Sequence, residues 1–227
     1  MRNKILFALT SHDRKGETGQ PTGFYLPEAA HPWAVLKEAG FEVDFVSPKG
    51  GNPPMEGSAG NDALSQSFLE DSDVTRKMTN TPTPSQVKPS DYAAILFVGG
   101  HGTMWDFPDD RGLADIAASI YEKGGVVGAV CHGPAALVNL QLSNGRYLVE
   151  GKRVAAFTND EEKAVNLDAV VPFLLEAKLR ERGADHVAAP NWQANVIVDG
   201  RLVTGQNPAS AGGVGKEIAE LLKNRNP

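Results

Sequence analysis

One cysteine and the histidine that follows it are the residues of this sequence best suited to covalent chemistry. Cys131 is the only cysteine of the 227-residue chain, and Cys131-His132-Gly133-Pro134 follows the apolar run of residues 124–130. A reactive side chain on a sharp turn between a buried strand and a helix is lifted away from the backbone, as in a nucleophile elbow. The pattern predicts a nucleophile at Cys131, and the alternative is a small buried apolar residue.

The stretch after this turn bears on the reactivity of the thiol. Pro134 suits the first turn of a helix, and the apolar residues 135–140 continue a helical pattern. A helix that begins there would direct free N–H groups and the positive end of its dipole at the sulfur. Since such a position lowers a thiol pKa, we expect a thiolate at Cys131.

Two other stretches offer polar groups to the same chemistry. Gly99-Gly100-His101-Gly102 follows a predicted strand, so it is either a tight turn or a nest of N–H groups for an oxyanion. The backbone N–H groups of Gly100 and His132 are the expected donors. Glu28, near the start of a predicted helix, is either a solvated helix residue or a carboxyl that meets the thiol and carries protons.

Histidines and aromatic residues supply further candidates. His132 is either the partner base of Cys131 or a histidine packed beside it. Two more histidines and four aromatic residues either line the site or serve the structure: His31, His101, Phe24, Tyr25, Trp33 and Trp105. The spacing of His, Asp and Glu predicts no metal site, and no glycine fingerprint for phosphate occurs.

Strands and helices alternate along the chain, which predicts an α/β sandwich with a mostly parallel sheet. The predicted strands are residues 4–10, 41–47, 92–98, 124–130 and 152–158, followed by a hairpin over 195–205 that turns at Asp199-Gly200. The predicted helices are residues 27–37, 62–78, 112–123, 134–140, 169–182 and 210–224. Because sites form beyond the carboxyl ends of parallel strands, Cys131, His101 and residues 159–162 should meet there.

Length and composition limit the organisation and the partners. We interpret residues 1–227 as a single domain, with a cap or insertion at about 50–91 where the strand–helix rhythm breaks. A net charge of −6 without a basic run excludes nucleic acid and anionic membrane as expected partners. The apolar run of residues 5–9 is shorter than that of a secretion signal, and one free thiol suits a reducing compartment, so we expect a cytoplasmic protein.

Four motifs in order resemble the ThiJ/PfpI superfamily, which has the class I glutamine amidotransferase-like fold, and more narrowly its heat-shock chaperone or glyoxalase III branch. The motifs are Pro27-Glu28-Ala29-Ala30-His31-Pro32-Trp33, residues 99–108, residues 129–134 and residues 202–210. The resemblance extends from about Lys4 to Leu222. It implies a flavodoxin-like three-layer sandwich that forms a homodimer.

The resemblance also implies a site and an activity. Cys131 would be the nucleophile, His132 its neighbour in a Cys-His-acid triad, and Glu28 the glutamate that touches the thiol. The triad acid would follow Phe157-Thr158, where Glu162 fits best and Asp160 and Glu161 remain alternatives. Gly100, His101, His31 and Trp105 would bind the substrate or its oxyanion.

The implied reaction is a glutathione-independent glyoxalase reaction, in which methylglyoxal or a related 2-oxoaldehyde becomes a 2-hydroxy acid such as D-lactate without cofactor or metal. The alternatives are a cysteine peptidase, amide hydrolase or deglycase, and a holdase chaperone or redox sensor. An amidotransferase should carry a His-Pro-Glu-like pair near the C-terminus. This chain has Gln206-Asn207-Pro208 there, which argues against amidotransfer.

Overall fold

A six-stranded sheet runs through the centre of the protein. The computed structural model describes residues 3–224, so Met1, Arg2 and residues 225–227 of the predicted domain lie outside the described part. The strands are β1 Lys4–Ala8, β2 Phe24–Tyr25, β3 Glu42–Val46, β4 Met55–Glu56, β5 Ala94–Phe97, β6 Val126–Val130, β7 Arg153–Val154, β8 Asp185–His186, β9 Val196–Asp199 and β10 Leu202–Gly205. The central sheet has the order β3-β1-β5-β6-β10-β9, and β9 is its antiparallel member. The predicted α/β class with a mostly parallel sheet is therefore confirmed. The predicted hairpin is present too, but its turn is Gly200-Arg201 instead of Asp199-Gly200, because Asp199 pairs with Leu202 in the ladder.

Helices cover both faces of this sheet. They are α1 Leu26–Glu38, α2 Ala63–Glu70, α3 Ser72–Met78, α4 Thr103–Asp106, α5 Arg111–Glu122, α6 Asn159–Ala164, α7 Leu175–Glu181 and α8 Ala211–Lys223. Two separate apolar clusters form the core, one beneath α1 and α8 and the other beneath α5 and α7. β6 lies between them with all five residues buried, which explains its continuous apolar run.

The segment of residues 50–91 packs mostly against α1 and the edge strand β3 of the sheet. Phe68 of α2 lies edge-on to Trp33 of α1, with ring centroids 5.4 Å apart. From α3, Lys77 donates to the carbonyl of Val43 on β3. Only β4, which pairs with β2, brings a residue of this segment, Glu56, to the cavity described below.

Three predicted elements differ from the structure for identifiable reasons. The helix predicted after Pro134 is a short 3₁₀ helix, Gly133–Leu137. The strand predicted over 152–158 is reduced to β7, because the Ala155 and Ala156 N–H groups bond to the side chains of Thr204 and His186. The helix predicted from residue 169 begins at Leu175, after Pro172, which cannot donate within a helix.

A further boundary lies within the helix predicted over 62–78. It divides at Asp71, whose extended backbone and side chain cap α3. Within residues 3–224, every helix falls short of the length and apolar character needed to cross a bilayer.

Candidate active site

Cys131 occupies a strained turn directly after β6. Its φ of 60° lies in the left-handed region, which costs a residue with a side chain about 1–3 kcal/mol. Two backbone hydrogen bonds of 2.9 Å hold the turn: the Cys131 N–H donates to Gly205, and the Cys131 carbonyl accepts from Phe157. The sharp turn predicted at Cys131 is therefore present, and its side chain enters a cavity at the carboxyl ends of the strands.

A histidine and a glutamate continue from the sulfur. Cys131 Sγ lies 3.3 Å from His132 Nδ1, and His132 Nε2 lies 2.7 Å from Glu162 Oε2. The other Glu162 oxygen lies 2.8 Å from Nε2 of His101. Glu162 thus orients two imidazoles at once, and the thiol, imidazole and carboxylate form the line of contacts expected of a nucleophilic triad.

The three consecutive acids of α6 have three different environments. Asp160 is exposed and lies 3.5 Å from Lys163. Glu161 is buried and accepts from the N–H of Thr158, the N–H of Trp192 and the side-chain amide of Asn207. Of the three acids, Glu162 is the one whose carboxyl reaches His132. Their spacing in the sequence could not distinguish them, whereas helix α6 gives each acid a different environment.

Glu28 lies in the first turn of α1 and is fully buried. Neither of its carboxyl oxygens makes a hydrogen bond of normal geometry among the described residues, although the Cys131 thiol and the Gly99 N–H lie near enough to favour its charged form. Gly99 allows it to approach, because a Cβ at Gly99 would come within 2.1 Å of Glu28 Oε2 and 3.0 Å of Cys131 Cβ. A buried carboxyl with only these weak contacts is therefore held close to the thiol.

Burial sets the protonation of these two groups. It raises the pKa of Glu28 to about 8, so this carboxyl carries a proton at neutral pH. Burial also raises the pKa of the Cys131 thiol well above its usual range, and a charge on Glu28 would add to this effect. The expected thiolate is wrong for the resting site. The helix invoked for it is one short 3₁₀ helix, and desolvation outweighs any N–H group near the sulfur.

The pKa values of His132 and Glu162 are lowered instead. Burial and the neighbouring His101 lower the pKa of His132 to about 4, so its imidazole is neutral and can accept a proton. Burial alone would raise the pKa of Glu162, but the bonds from His101 and His132 outweigh it and hold this pKa at about 2. The resting site therefore contains a neutral thiol, a neutral imidazole, a protonated Glu28 and an ionised Glu162.

The predicted oxyanion donors are the backbone N–H groups of Gly100 and His132, and both residues line the cavity that Cys131 enters. Among residues 3–224, these two N–H groups have no oxygen acceptor, and the His132 N–H interacts with the Cys131 sulfur. The hydroxyl of Thr103 lies 2.9 Å from the carbonyls of both residues and so ties the two turns together. Unpaired N–H groups of this kind are the ones that could stabilise a developing negative charge. Thr103 itself was not among the candidates from the sequence.

The cavity around these groups has a volume of about 330 Å³, and both polar and apolar residues line it. Gly100, His101, Cys131 and His132 belong to its lining. Five further lining residues are polar: Lys15, Gln20, Tyr25, Glu28 and Glu56. Another five are apolar: Phe157, Val165, Leu167, Trp192 and Pro208.

Several predicted lining residues lie elsewhere. His31 faces α2, where its Nε2 lies 2.7 Å from Asp62, and Trp105 stacks on His12 with ring centroids 5.1 Å apart. Phe24 and Trp33 belong to the apolar core. Periodicity in α1 identifies which residues are apolar but not which turn faces the sheet end, and for this reason His31 and Trp33 were misplaced. Trp105 lies on the short helix α4, which the sequence did not predict.

The aromatic wall comes instead from Phe157 and Trp192. Phe157 stands next to the Thr158 that caps α6, so its position near the acid motif was a usable signal. Trp192 lies in an irregular loop, far in sequence from the other site residues. No pattern in the sequence marks it.

The fold also assembles three side chains of the types that bind metals. The ligating atoms of His101, His132 and Glu162 lie within 4.8 Å of one another, a proximity that sequence spacing did not predict. Here both imidazoles donate to Glu162, so these atoms already satisfy one another. The donor set suits Zn²⁺, but an ion would have to displace both hydrogen bonds and would remove His132 from its contact with the carboxylate.

Comparison with known proteins supports the resemblance seen in the motifs. A sequence profile of the DJ-1/PfpI family matches residues 21–221. The glutathione-independent glyoxalase HSP31 of Saccharomyces cerevisiae is 39% identical over 97% of this chain and 98% of its own length. Glyoxalase 3 of Candida albicans is 33% identical over 92% and 93% of the two chains.

Two solved structures have the same fold along almost the whole chain. Rapid Encystment Protein 24 kDa of Francisella tularensis superposes with a TM-score of 0.93 at 40% identity and covers 97% of this chain and 99% of its own. Glyoxalase III of Candida albicans gives a TM-score of 0.87 at 29% identity and covers 96% of each chain. The ThiJ/PfpI resemblance is thereby confirmed, and this chain belongs to the DJ-1/PfpI family.

Proposed function

We propose that this protein is a glutathione-independent glyoxalase, which converts methylglyoxal and related 2-oxoaldehydes to 2-hydroxy acids such as D-lactate with Cys131 as the nucleophile. One observation carries the proposal. Glu28 is a fully buried, unpartnered carboxyl beside the thiol, and its pKa of about 8 lets it exchange protons near neutral pH. The Saccharomyces and Candida relatives are named as glyoxalases, which agrees with this chemistry.

The first step forms a bond between Cys131 Sγ and the aldehyde carbon. Because the thiol is neutral at rest, its proton passes to His132 Nδ1, which is 3.3 Å away, as the bond forms. The backbone N–H groups of Gly100 and His132 bind the oxygen that becomes negative. This oxygen then recovers the proton from His132, which leaves a neutral hemithioacetal.

The second step moves hydrogen between the two carbons. His132, neutral again, removes the proton from the former aldehyde carbon, and protonated Glu28 gives its proton to the ketone oxygen. The result is an enediol. His132 then protonates the former ketone carbon while Glu28 takes back a hydroxyl proton, and the product is a thioester of lactate on Cys131. Ionised Glu162 stabilises the imidazolium of His132 in both steps.

Water completes the reaction by hydrolysing the thioester, which releases lactate and restores the thiol. The net reaction adds one water to methylglyoxal, and its redox change is internal, because the aldehyde carbon is oxidised as the ketone carbon is reduced. These residues alone therefore balance the reaction without an external oxidant or reductant.

An amide hydrolase would use the same Cys131, His132 and Glu162. It gives no task to Glu28, since acyl transfer needs no proton movement between two carbons, and a polypeptide would need more room than about 330 Å³.

The homodimer implied by the resemblance stays a prediction, which the mass in solution would test. The cytoplasmic location stays a prediction too, which the distribution of the protein in cells would test.

The first test is D-lactate formation from methylglyoxal, without glutathione or added metal, by wild type and by Cys131→Ala. We expect turnover by the wild type and none by the variant, because without Sγ no hemithioacetal forms on the protein. Thermal unfolding of the variant, followed by circular dichroism, controls for a loss of fold. Equal activity in the two proteins would overturn the proposed mechanism, and no turnover by the wild type would overturn the proposed activity.

A further inference from the structure

The apolar residues of the cavity lining have no task in the reaction of methylglyoxal. Methylglyoxal carries a single methyl group on its ketone carbon, whereas a cavity of about 330 Å³ lies within the range that holds much larger ligands. We propose that Trp192, with Phe157, Val165 and Leu167, forms a subsite for the non-reacting group of larger 2-oxoaldehydes and confers a preference for an aromatic group there. This inference rests on the proposed glyoxalase function.

Trp192 is held at the mouth of the cavity in an unusual way. Its side chain is 48% exposed, although large apolar side chains are commonly buried. Its φ of 66° lies in the left-handed region, where a bulky residue is a genuine outlier. The backbone N–H of Trp192 donates to the buried carboxyl of Glu161 at 2.9 Å, which stabilises this conformation. Strain of this kind persists where the surrounding structure fixes it, and it is typical of ligand sites.

An uninterrupted row of rings connects Trp192 to the reacting groups. The indole lies 5.7 Å from the ring of Phe157, and Phe157 lies 4.3 Å from the imidazole of His132. A group attached to the ketone carbon of a substrate bound to Cys131 therefore meets these aromatic faces. Ring distances of about 4.5–7 Å are those of favourable aromatic pairs, so an aryl group gains contacts that a methyl group lacks.

The rest of the apolar wall belongs to the same short segment as the triad acid. Val165 and Leu167 directly follow α6, and the Leu167 N–H donates to the backbone carbonyl of Glu162. Val165 is 37% exposed at the mouth of the cavity, another large apolar side chain that faces solvent when no ligand is present. The same short segment therefore positions both the triad acid Glu162 and this part of the apolar lining.

The charged side chains of Lys15 and Glu56 in the cavity lining are paired with each other. Lys15 forms an ion pair with Glu56, and the hydroxyl of Thr22 donates to the same carboxylate. Phe157, Val165, Leu167, Trp192 and Pro208 offer no charged partner. This distribution favours an uncharged apolar substituent over an acidic or basic one, since a charge placed there would lose water without gaining a partner.

The test compares phenylglyoxal with methylglyoxal as substrates of wild type, Trp192→Ala and Trp192→Phe. Phenylglyoxal plus one water gives mandelate by the steps proposed for lactate. We expect the ratio of kcat/KM for phenylglyoxal to that for methylglyoxal to fall about tenfold in Trp192→Ala, a usual effect of removing one apolar contact surface, and to recover largely in Trp192→Phe. The control is Leu69→Ala, which removes another exposed apolar side chain, 38% exposed on α2 and outside the cavity, and should leave the ratio unchanged.

Binding of the products gives a readout that does not require turnover. By calorimetry, mandelate should bind the wild type more tightly than lactate, and Trp192→Ala should remove this difference. Because Trp192 is half-exposed, its replacement leaves no core cavity, and the melting temperature verifies the fold. If Trp192→Ala turns over methylglyoxal and its ratio of kcat/KM values equals that of the wild type, the subsite is overturned but the proposed function is not. If the wild type does not turn over methylglyoxal, the proposed function is overturned. In that case, equal binding of mandelate and lactate by the wild type would overturn the subsite as well.

Discussion

Glu28 and Glu162 come from the first turns of two helices, α1 and α6; Glu28 lines the cavity, Glu162 lies against His132, and both are almost completely buried. Glu162 receives an imidazole N–H on each oxygen, and its pKa is about 2. Glu28 has no hydrogen-bond partner among the described residues, and its pKa is about 8. Burial is common to the two carboxyls, so the difference comes from the donors around each of them.

This contrast shows how one site obtains a fixed charge and an exchangeable proton from the same residue type. The donors around Glu162 make it a permanent anion that orients His132 and His101. Around Glu28, burial outweighs the weak contacts with the Cys131 thiol and the Gly99 N–H, so it is a neutral acid that can give up its proton at the reacting centre. The backbone contributes to the second environment, because Gly99 lets the carboxyl approach Cys131 without a side chain between them.

The largest effect is expected from Glu28→Gln, which keeps the shape and removes the exchangeable proton. We expect kcat for methylglyoxal to fall about 10²- to 10⁴-fold, the usual contribution of a positioned acid or base. In the wild type, kcat/KM should decline below a pH of about 4, as His132 takes a proton, and above about 8, as Glu28 loses one. The residual activity of the variant should lack the alkaline decline. Undiminished kcat would contradict the role of Glu28.

The stability of Glu28→Gln provides a control, because it should rise where the activity falls. The folded pKa of Glu28 is raised from 4.5 to about 8, so its stabilising contribution is complete below pH 4.5 and is lost as the pH rises toward 8. Relative to wild type, the free energy of unfolding of Glu28→Gln should therefore increase over this interval, by up to ~5 kcal/mol. Urea unfolding at several pH values measures the difference, and a constant difference would show that Glu28 is not protonated in the fold.

We expect a smaller loss of activity in Glu162→Gln. The His132 imidazole stays packed on Phe157, but it loses the carboxylate that orients it and stabilises its positive charge. We expect kcat to fall about 10- to 100-fold, a part of the contribution of acid–base catalysis. The free energy of unfolding should also fall, by about 1–3 kcal/mol, since the amide cannot accept on both sides. The folded pKa of Glu162 is lowered from 4.5 to about 2, so this stability is present above pH 4.5 and disappears as the pH falls toward 2.

Urea unfolding of both proteins at neutral pH and near pH 3 tests the second half of this prediction. The difference between wild type and Glu162→Gln should shrink at the lower pH. A variant with wild-type kcat would show that another acid serves His132.

The smallest effects are expected at the two acids that precede Glu162. Glu161→Gln should lower the free energy of unfolding by about 1–3 kcal/mol, because its buried carboxylate accepts several hydrogen bonds and an amide would oppose some of them. Asp160→Asn, at an exposed position, should change it by no more than about 0.5 kcal/mol and is the matched control. Urea unfolding and kcat measure both variants, and a larger loss of kcat in either than in Glu162→Gln would reverse the assignment.

Apolar periodicity and turn residues predicted most of the fold, and the failures have local causes. β1, β5, β6 and the β9–β10 hairpin follow apolar runs bounded by turn residues, and such runs are visible in one dimension. β7 is short because two side chains, those of Thr204 and His186, take the N–H groups that a longer strand would have used. Those partners lie far along the chain, so no local pattern could indicate them.

By itself, the sequence determined the α/β fold, the turn that carries Cys131, and the set of groups from which a site could be built. Their proton states and the walls around them depended on the tertiary structure. The expected thiolate was wrong because desolvation, which is set by burial in three dimensions, raises the pKa of Cys131. In the same way the fold separated Glu162 from Asp160 and Glu161, and it placed Trp192 at the cavity while Trp105 and His31 lie elsewhere. Residue type and local spacing are properties of the chain, whereas solvation and the contacts between distant residues exist only once the chain has folded.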